Sequence, residues 1–227
     1  MQPHSRIGGR IARSSSRPRR AIAMPDDKVH AVLGYPSVFE DAARRFAGEA
    51  ERAAKRWNEE RLEAFREAEA EFTAAAILLA VGAVEAAIGE FVWKAKEKLG
   101  KEQAKKFEQK LGDISNPHDK CKAIANERNQ RAKFGEQEGI SDFKCVYQLR
   151  NAIVHYKRVG LDRGDWPPEV GATCKEVLNR VYDIAEYDWA SVALKHEFAT
   201  WAVETVRMYL QRWEEAVWPD DTEDATG

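Results

Sequence analysis

Apolar positions along this chain recur at intervals of three and four, and no stretch alternates as a strand would. The strongest stripe is Ile77, Val81, Val84, Ile88, Phe91 and Ala95, which predicts a helix over about 70–98. Ala74, Ala75, Ala76, Ala80, Ala83, Ala86 and Ala87 fill the turns between, so a second helix can approach closely. Upstream, Ser37 and Glu40 form a capping box. Phe39, Ala43, Phe46, Ala50, Ala53 and Trp57 follow at helical spacing. The phase slips after Trp57, where the next large apolar residues are Leu62 and Phe65. The pattern predicts either one kinked helix or two helices meeting near 57–60. Its charge density suggests an exposed or partner-facing extension.

Downstream, Leu99-Gly100 ends the central helix, and 102–111 reads as a short basic helix stopped by Gly112. A turn at 115–119 precedes a helix from about 120 to 130, and 133–140 is a polar loop. Ser141 or Asp142 then caps a helix running to about Lys157. Gly164, Asp165, Trp166, Pro167 and Pro168 mark a loop over 160–171. A helix starts near Thr173 with Val177, Leu178 and Val181. The last, over about 188–216, carries Leu194, Phe198, Trp201, Ala202, Thr205, Met208, Tyr209 and Trp213. The expected fold is all-α: an N-terminal helical extension over 26–69 and an antiparallel bundle over 70–217. The Trp residues at positions 93, 189, 201 and 213 are expected to pack helices rather than stack bases.

Composition sharpens the ends. Residues 1–25 hold six Arg and no acid, which predicts a disordered basic segment outside the fold. Met24-Pro25 is a plausible true start. Residues 218–227 read as a disordered acidic tail. Overall net charge is −2, with no global pull toward nucleic acid. Its distribution is uneven: residues 94–163 carry 17 basic and 10 acidic groups, a net of +7, and 164–227 carry 5 and 14, a net of −9. A polyanion is therefore admissible near the basic third, unless that third pairs with the acidic tail.

Candidate chemistry is sparse. Cys121, Cys145 and Cys174 are odd in number and lack C-x-x-C spacing, so neither a disulfide framework nor a zinc site is implied, and a reducing cytoplasm fits. The apolar run over 74–88 is too short for a bilayer and holds Glu85, so no membrane segment is expected. Phosphate-binding Gly-rich loops, a serine elbow and H-E-x-x-H are all missing, so no metal and no cofactor is expected. His118 follows Asn116-Pro117 and reads as surface decoration. His30 and His196 read as isolated from cysteines and paired carboxylates.

One stretch is different. Over 145–158, Val146, Leu149, Ala152, Ile153 and Val154 want burial, while Arg150, Asn151 and His155 interrupt them. Asn151 and His155 are i,i+4 neighbours on a helix. Arg150 and His155 lie about 140° apart around the axis. One element thus offers a permanent cation, an amide and a group that titrates near neutrality. Glu85, set among alanines, needs a partner if buried, and Arg150 is the nominated one. A plain hydrogen-bonded helix face is the competing reading.

The pattern Arg150-Asn151-x-x-x-His155, followed by aromatic Tyr156, resembles the R-x4-6-H signature of the HEPN superfamily. It stands before a final long helix and after an Ala-rich helix with one internal acid. The resemblance spans about residues 70–215. It implies a helical bundle that dimerises, with two copies of the motif facing one cleft. It also implies RNA cleavage without metal in many members. Arg150, His155 and Asn151 would be catalytic, and Glu85 and Tyr156 supporting. Lys144, Lys157 and Arg158 are expected to contact the RNA phosphates. A toxin or phage-defence role follows, with an antitoxin or other operon partner. The alternative is a non-catalytic module that binds a protein or nucleotide. Members paired with a nucleotidyltransferase antitoxin carry Tyr two residues after the His; here that position is Lys157, which weakens an inference to such a partner.

Overall fold

The computed structural model describes residues 35–128, 134, 139–155, 170–181 and 194–218. Among them the secondary structure is entirely helical. We number the helices α1 (Tyr35–Glu60), α2 (Glu63–Lys98), α3 (Lys101–Gly112), α4 (Pro117–Glu127), α5 (Ile140–His155), α6 (Ala172–Val181) and α7 (His196–Val217). The expected segment at 1–25 and most of the expected tail over 218–227 lie outside the described residues, as do 156–169 and 188–193. Trp218, which that tail included, belongs instead to the fold: its ring packs on Phe91 with centroids 5.4 Å apart.

The slip after Trp57 is a break between two helices. Arg61 takes the left-handed conformation at φ 56°, a helix-ending geometry usually met by glycine. That is why no Gly or Pro marked it in the sequence. The guanidinium of Arg61 lies 5.7 Å from the Trp57 ring. After this turn α2 runs back along α1. Arg56 sits over Phe65 at 4.0 Å, Phe46 meets Phe72 at 6.0 Å, and Phe39 lies against Gly82. A Cβ on Gly82 would approach Phe39 to 3.0 Å, so this crossing uses the missing side chain.

The seam between the two helices is built from small residues. Ala43, Ala47, Ala50 and Ala54 are buried on α1, as are Ala76, Ala80, Ala83 and Ala87 on α2. Alanine lets backbones approach and loses no side-chain entropy on burial. The expected exposed extension is therefore incorrect: α1 packs on both α2 and α7, and Ala43 and Ala47 belong to the common core. The boundary set at residue 70 falls inside α2.

Helix α7 lies alongside α2 in the same direction. His196 meets Glu69 near the start of both, and Trp213 meets Phe91 further on, with ring centroids 6.0 Å apart. Phe91 also takes the edge of Phe107 from α3 at 5.0 Å. Length and composition would let α2 cross a membrane, contrary to the expectation from 74–88 alone. Half of its most apolar window is buried within the fold.

Helix α4 starts at Pro117, with Asn116 accepting from the His118 amide at 2.9 Å. His118 is not surface decoration: it is 5% exposed, and its Nδ1 lies 3.0 Å from the Tyr209 hydroxyl. The expected turn over 115–119 is shorter than predicted, because Pro117, His118 and Asp119 already form the first turn of α4, and the His118 ring points inward. Trp213 is buried and donates Nε1–H to the Cys121 carbonyl at 3.1 Å. Trp201 packs against the core, whereas Trp93 is exposed, against expectation, and Trp189 lies outside the described residues.

Candidate active site

Helix α5 carries the motif and is fixed from three sides. Phe143 stacks on Tyr209 of α7 at 4.0 Å. Val146, Leu149 and Ala152 are buried in the core. On the remaining side α6 is tied to α5 twice. Gln148 Oε1 accepts from the Gly171 amide at 3.0 Å, and Cys145 is disulfide-bonded to Cys174, their Cα atoms 4.5 Å apart. The cysteine pattern implied no disulfide, and this bond corrects that expectation. Helix packing brings together cysteines 29 residues apart, which no local spacing announces. Cys121 is the free one, and burial pushes its thiol up to about 12, so it is no nucleophile at neutral pH.

Burying one face of α5 leaves the polar trio at its margin. Arg150 is half-buried, with its side chain 29% exposed. Its Nη1 donates to Asn151 Oδ1 at 3.1 Å, and its Nη2 lies 3.9 Å from Glu85 Oε1. The nominated Glu85–Arg150 pairing is thus present. The Glu85 side chain is 52% exposed, so the pair lies at the surface rather than in the core. Asn151 is engaged by Arg150, and His155 stands exposed at the end of the described helix. Among the described residues His155 has no hydrogen-bond partner. Beside it Val154 is 51% exposed, a large apolar side chain facing solvent.

Lys144 is exposed on another face of α5, about 120° around the axis from Arg150 by helix geometry. Its charge acts on His118 instead. Burial first, and then Lys144, bring His118 down to about 4. Tyr156, Lys157 and Arg158 lie outside the described residues. The described part of the basic third pairs partly with itself, through Lys96–Glu108 at 2.7 Å and through Lys110–Glu127.

Two features escaped the sequence reading. A cavity of about 340 Å³ opens between α2 and α7, lined by Phe91, Trp213 and Trp218 with Glu90, Lys94 and Glu214. It lies away from the motif, since neither Arg150 nor His155 lines it. Burial raises the Glu214 carboxyl, although Lys94 works against that. The second feature is a cluster of Glu69, His196 and Glu197 at the start of α7. His196 was read as isolated. The available signal was Glu197 next to it and a Glu69 whose register on α2 faces inward. No protein-family model, no curated protein and no solved structure matches this chain.

Proposed function

We propose that this chain is a HEPN-type endoribonuclease that cleaves RNA without metal and acts as a toxin or phage-defence effector in the cytoplasm. The observation that carries the reading is the placement of Arg150, Asn151 and His155 at an accessible margin of α5, with Glu85 of α2 3.9 Å from Arg150. A buried Arg–Glu pair would have pointed to a structural role. Here Arg150 is only half-buried and Glu85 is half in water, so the guanidinium can exchange Glu85 for phosphate.

His155 takes the proton of the ribose 2′-hydroxyl. The 2′-oxygen then attacks phosphorus, and the bond to the 5′-oxygen breaks. The products are a 2′,3′-cyclic phosphate and a 5′-hydroxyl. Arg150 stabilises the extra negative charge of the pentavalent phosphorane through its planar fork. Glu85 holds Arg150 in place until the phosphate arrives. A second copy of the chain supplies the acid that protonates the leaving oxygen, and exposed Val154 beside His155 suits such a contact. In a reducing cytoplasm Cys145 and Cys174 would be thiols, packed as small apolar side chains.

One observation favours the alternative of a non-catalytic module that binds a protein or nucleotide. Asn151 is occupied by Arg150 and does not orient His155. RNA integrity in cells expressing wild type or His155→Ala separates the two. The nuclease reading expects degraded RNA with wild type and intact RNA with the variant at equal protein level. Intact RNA in both would favour the binding module.

A further inference from the structure

We propose that Glu69, His196 and Glu197 form a divalent transition-metal site, of the zinc class, that clamps the start of α7 to α2. Glu69 is nearly buried, its side chain 12% exposed. Its Oε1 accepts from the His196 amide at 3.0 Å and lies 2.9 Å from the His196 ring Nδ1. Glu197 Oε2 lies 3.2 Å from the same Nδ1. One atom from each residue falls within a sphere of donors no more than 4.8 Å apart.

Hydrogen bonding accounts for only part of this geometry. A neutral imidazole has one N–H, which serves one carboxylate well and leaves the second facing a nitrogen already engaged. A protonated imidazole cancels one of the two negative charges and leaves the other beside a nearly buried carboxylate. A divalent ion takes the Nδ1 lone pair and one oxygen from each Glu, and the site becomes neutral. Zinc binds His nitrogen and carboxylate oxygen at about 2.0–2.2 Å, which puts tetrahedral donors about 3.3–3.6 Å apart. The observed separations of 2.9 and 3.2 Å need an opening of only a few tenths of an ångström. Glu69 can keep the His196 amide, as metal-bound carboxylates commonly keep a second hydrogen bond.

Thr73 is the independent observation. It stands one turn beyond Glu69 on the same face of α2, fully buried, with Oγ1 lacking a hydrogen-bond partner. Residues four apart stack on one face of a helix, so Thr73 and Glu69 lie on the same side of α2. A bound ion with its water in the fourth position would give it a partner. The site is remote from the nuclease motif, because Glu69 and Glu85 are sixteen residues apart on one helix, about 24 Å. Metal binding here and metal-free RNA cleavage are therefore compatible, and each can fail alone.

The test is titration of EDTA-treated, dialysed full-length protein with Zn²⁺ by calorimetry. Co²⁺ serves as a visible-absorption stand-in, and circular dichroism verifies the fold of each variant. The expected result is one equivalent per chain, with the thermal midpoint raised by Zn²⁺ and restored by EDTA. His196→Ala should abolish binding. Glu197→Gln, a change at an exposed position that should fold normally, should weaken it at least tenfold. Co²⁺ bands should lack the intense sulfur charge transfer that cysteine ligands would give. No binding at 100 μM Zn²⁺ would overturn the proposal. Undiminished binding in Glu197→Gln and folded His196→Ala would overturn it equally.

Discussion

Helix α2 sends one carboxylate to each of two sites, and the two behave as opposites. Glu69 is nearly buried and holds the first residue of α7 through both its amide and its ring. Glu85 is half in water and reaches Arg150 only at 3.9 Å. The same residue type on the same helix is a clamp in one place and a loose counter-charge in the other. Burial makes the difference. A carboxylate removed from water must be fully bonded, whereas one at the surface can release its partner at little cost. A site that must accept a phosphate needs the second kind.

Breaking the α5 side should show first in chemistry. Arg150→Ala should reduce cleavage by about 10²–10³-fold, the usual loss of one donor to a developing oxyanion. Arg150→Lys should rescue poorly, because the planar fork is lost. Folding stability of both, read from urea midpoints, should stay within about 1 kcal/mol of wild type. A collapse of the fold in Arg150→Ala would make the pair structural and end the contrast with Glu69.

The next largest effect concerns how α5 is held. Reducing the Cys145–Cys174 bond opens a 29-residue loop and should lower stability by about 3 kcal/mol, read from urea midpoints with and without reductant. Thiol counting under denaturing conditions should find one free cysteine in the oxidised protein and three after reduction. The clamp side gives a comparable figure. Glu69→Ala strands the His196 amide and imidazole, with an expected loss of about 1–3 kcal/mol. The Glu85→Gln change should cost no more than about 0.5 kcal/mol. Equal losses at the two positions would erase the distinction drawn above.

A smaller, pH-dependent effect tests the buried imidazole. His118 titrates near 6.5 in the unfolded chain and near 4 in the folded one. Between those values the unfolded state binds more protons, so stability rises with pH. The His118 contribution is complete above about pH 6.5 and is lost as pH falls toward 4. Urea midpoints at pH 7 and pH 5 should differ, and the difference should shrink in His118→Phe. An unchanged difference would place His118 in water.

The helices were legible because burial imposes a period on sequence. The stripe from Ile77 to Ala95 and the run from Phe198 to Trp213 each predicted an element the structure contains. Three things were not legible. Arg61 ends α1 in a conformation for which arginine carries no signal. Cys145 and Cys174 meet only because α5 and α6 pack. His118 and His196 look unremarkable in sequence, and each takes its role from a residue about 90 or more positions away, Tyr209 for one and Glu69 for the other. At the motif, the pattern put Arg150 and Asn151 on a helix that the structure contains and nominated Glu85, which lies 3.9 Å from Arg150. It could not foresee that Asn151 would bond to Arg150 and leave His155 exposed.

We propose above that Arg150 and His155 cleave RNA without metal from an accessible margin of the fold. Purified protein incubated with RNA in EDTA tests it most directly, with product ends read chemically. Wild type should give 2′,3′-cyclic phosphate and 5′-hydroxyl ends. His155→Ala should lose about 10²–10⁴-fold at an unchanged thermal midpoint. Intact RNA with folded wild-type protein, or equal cleavage by His155→Ala, would contradict it.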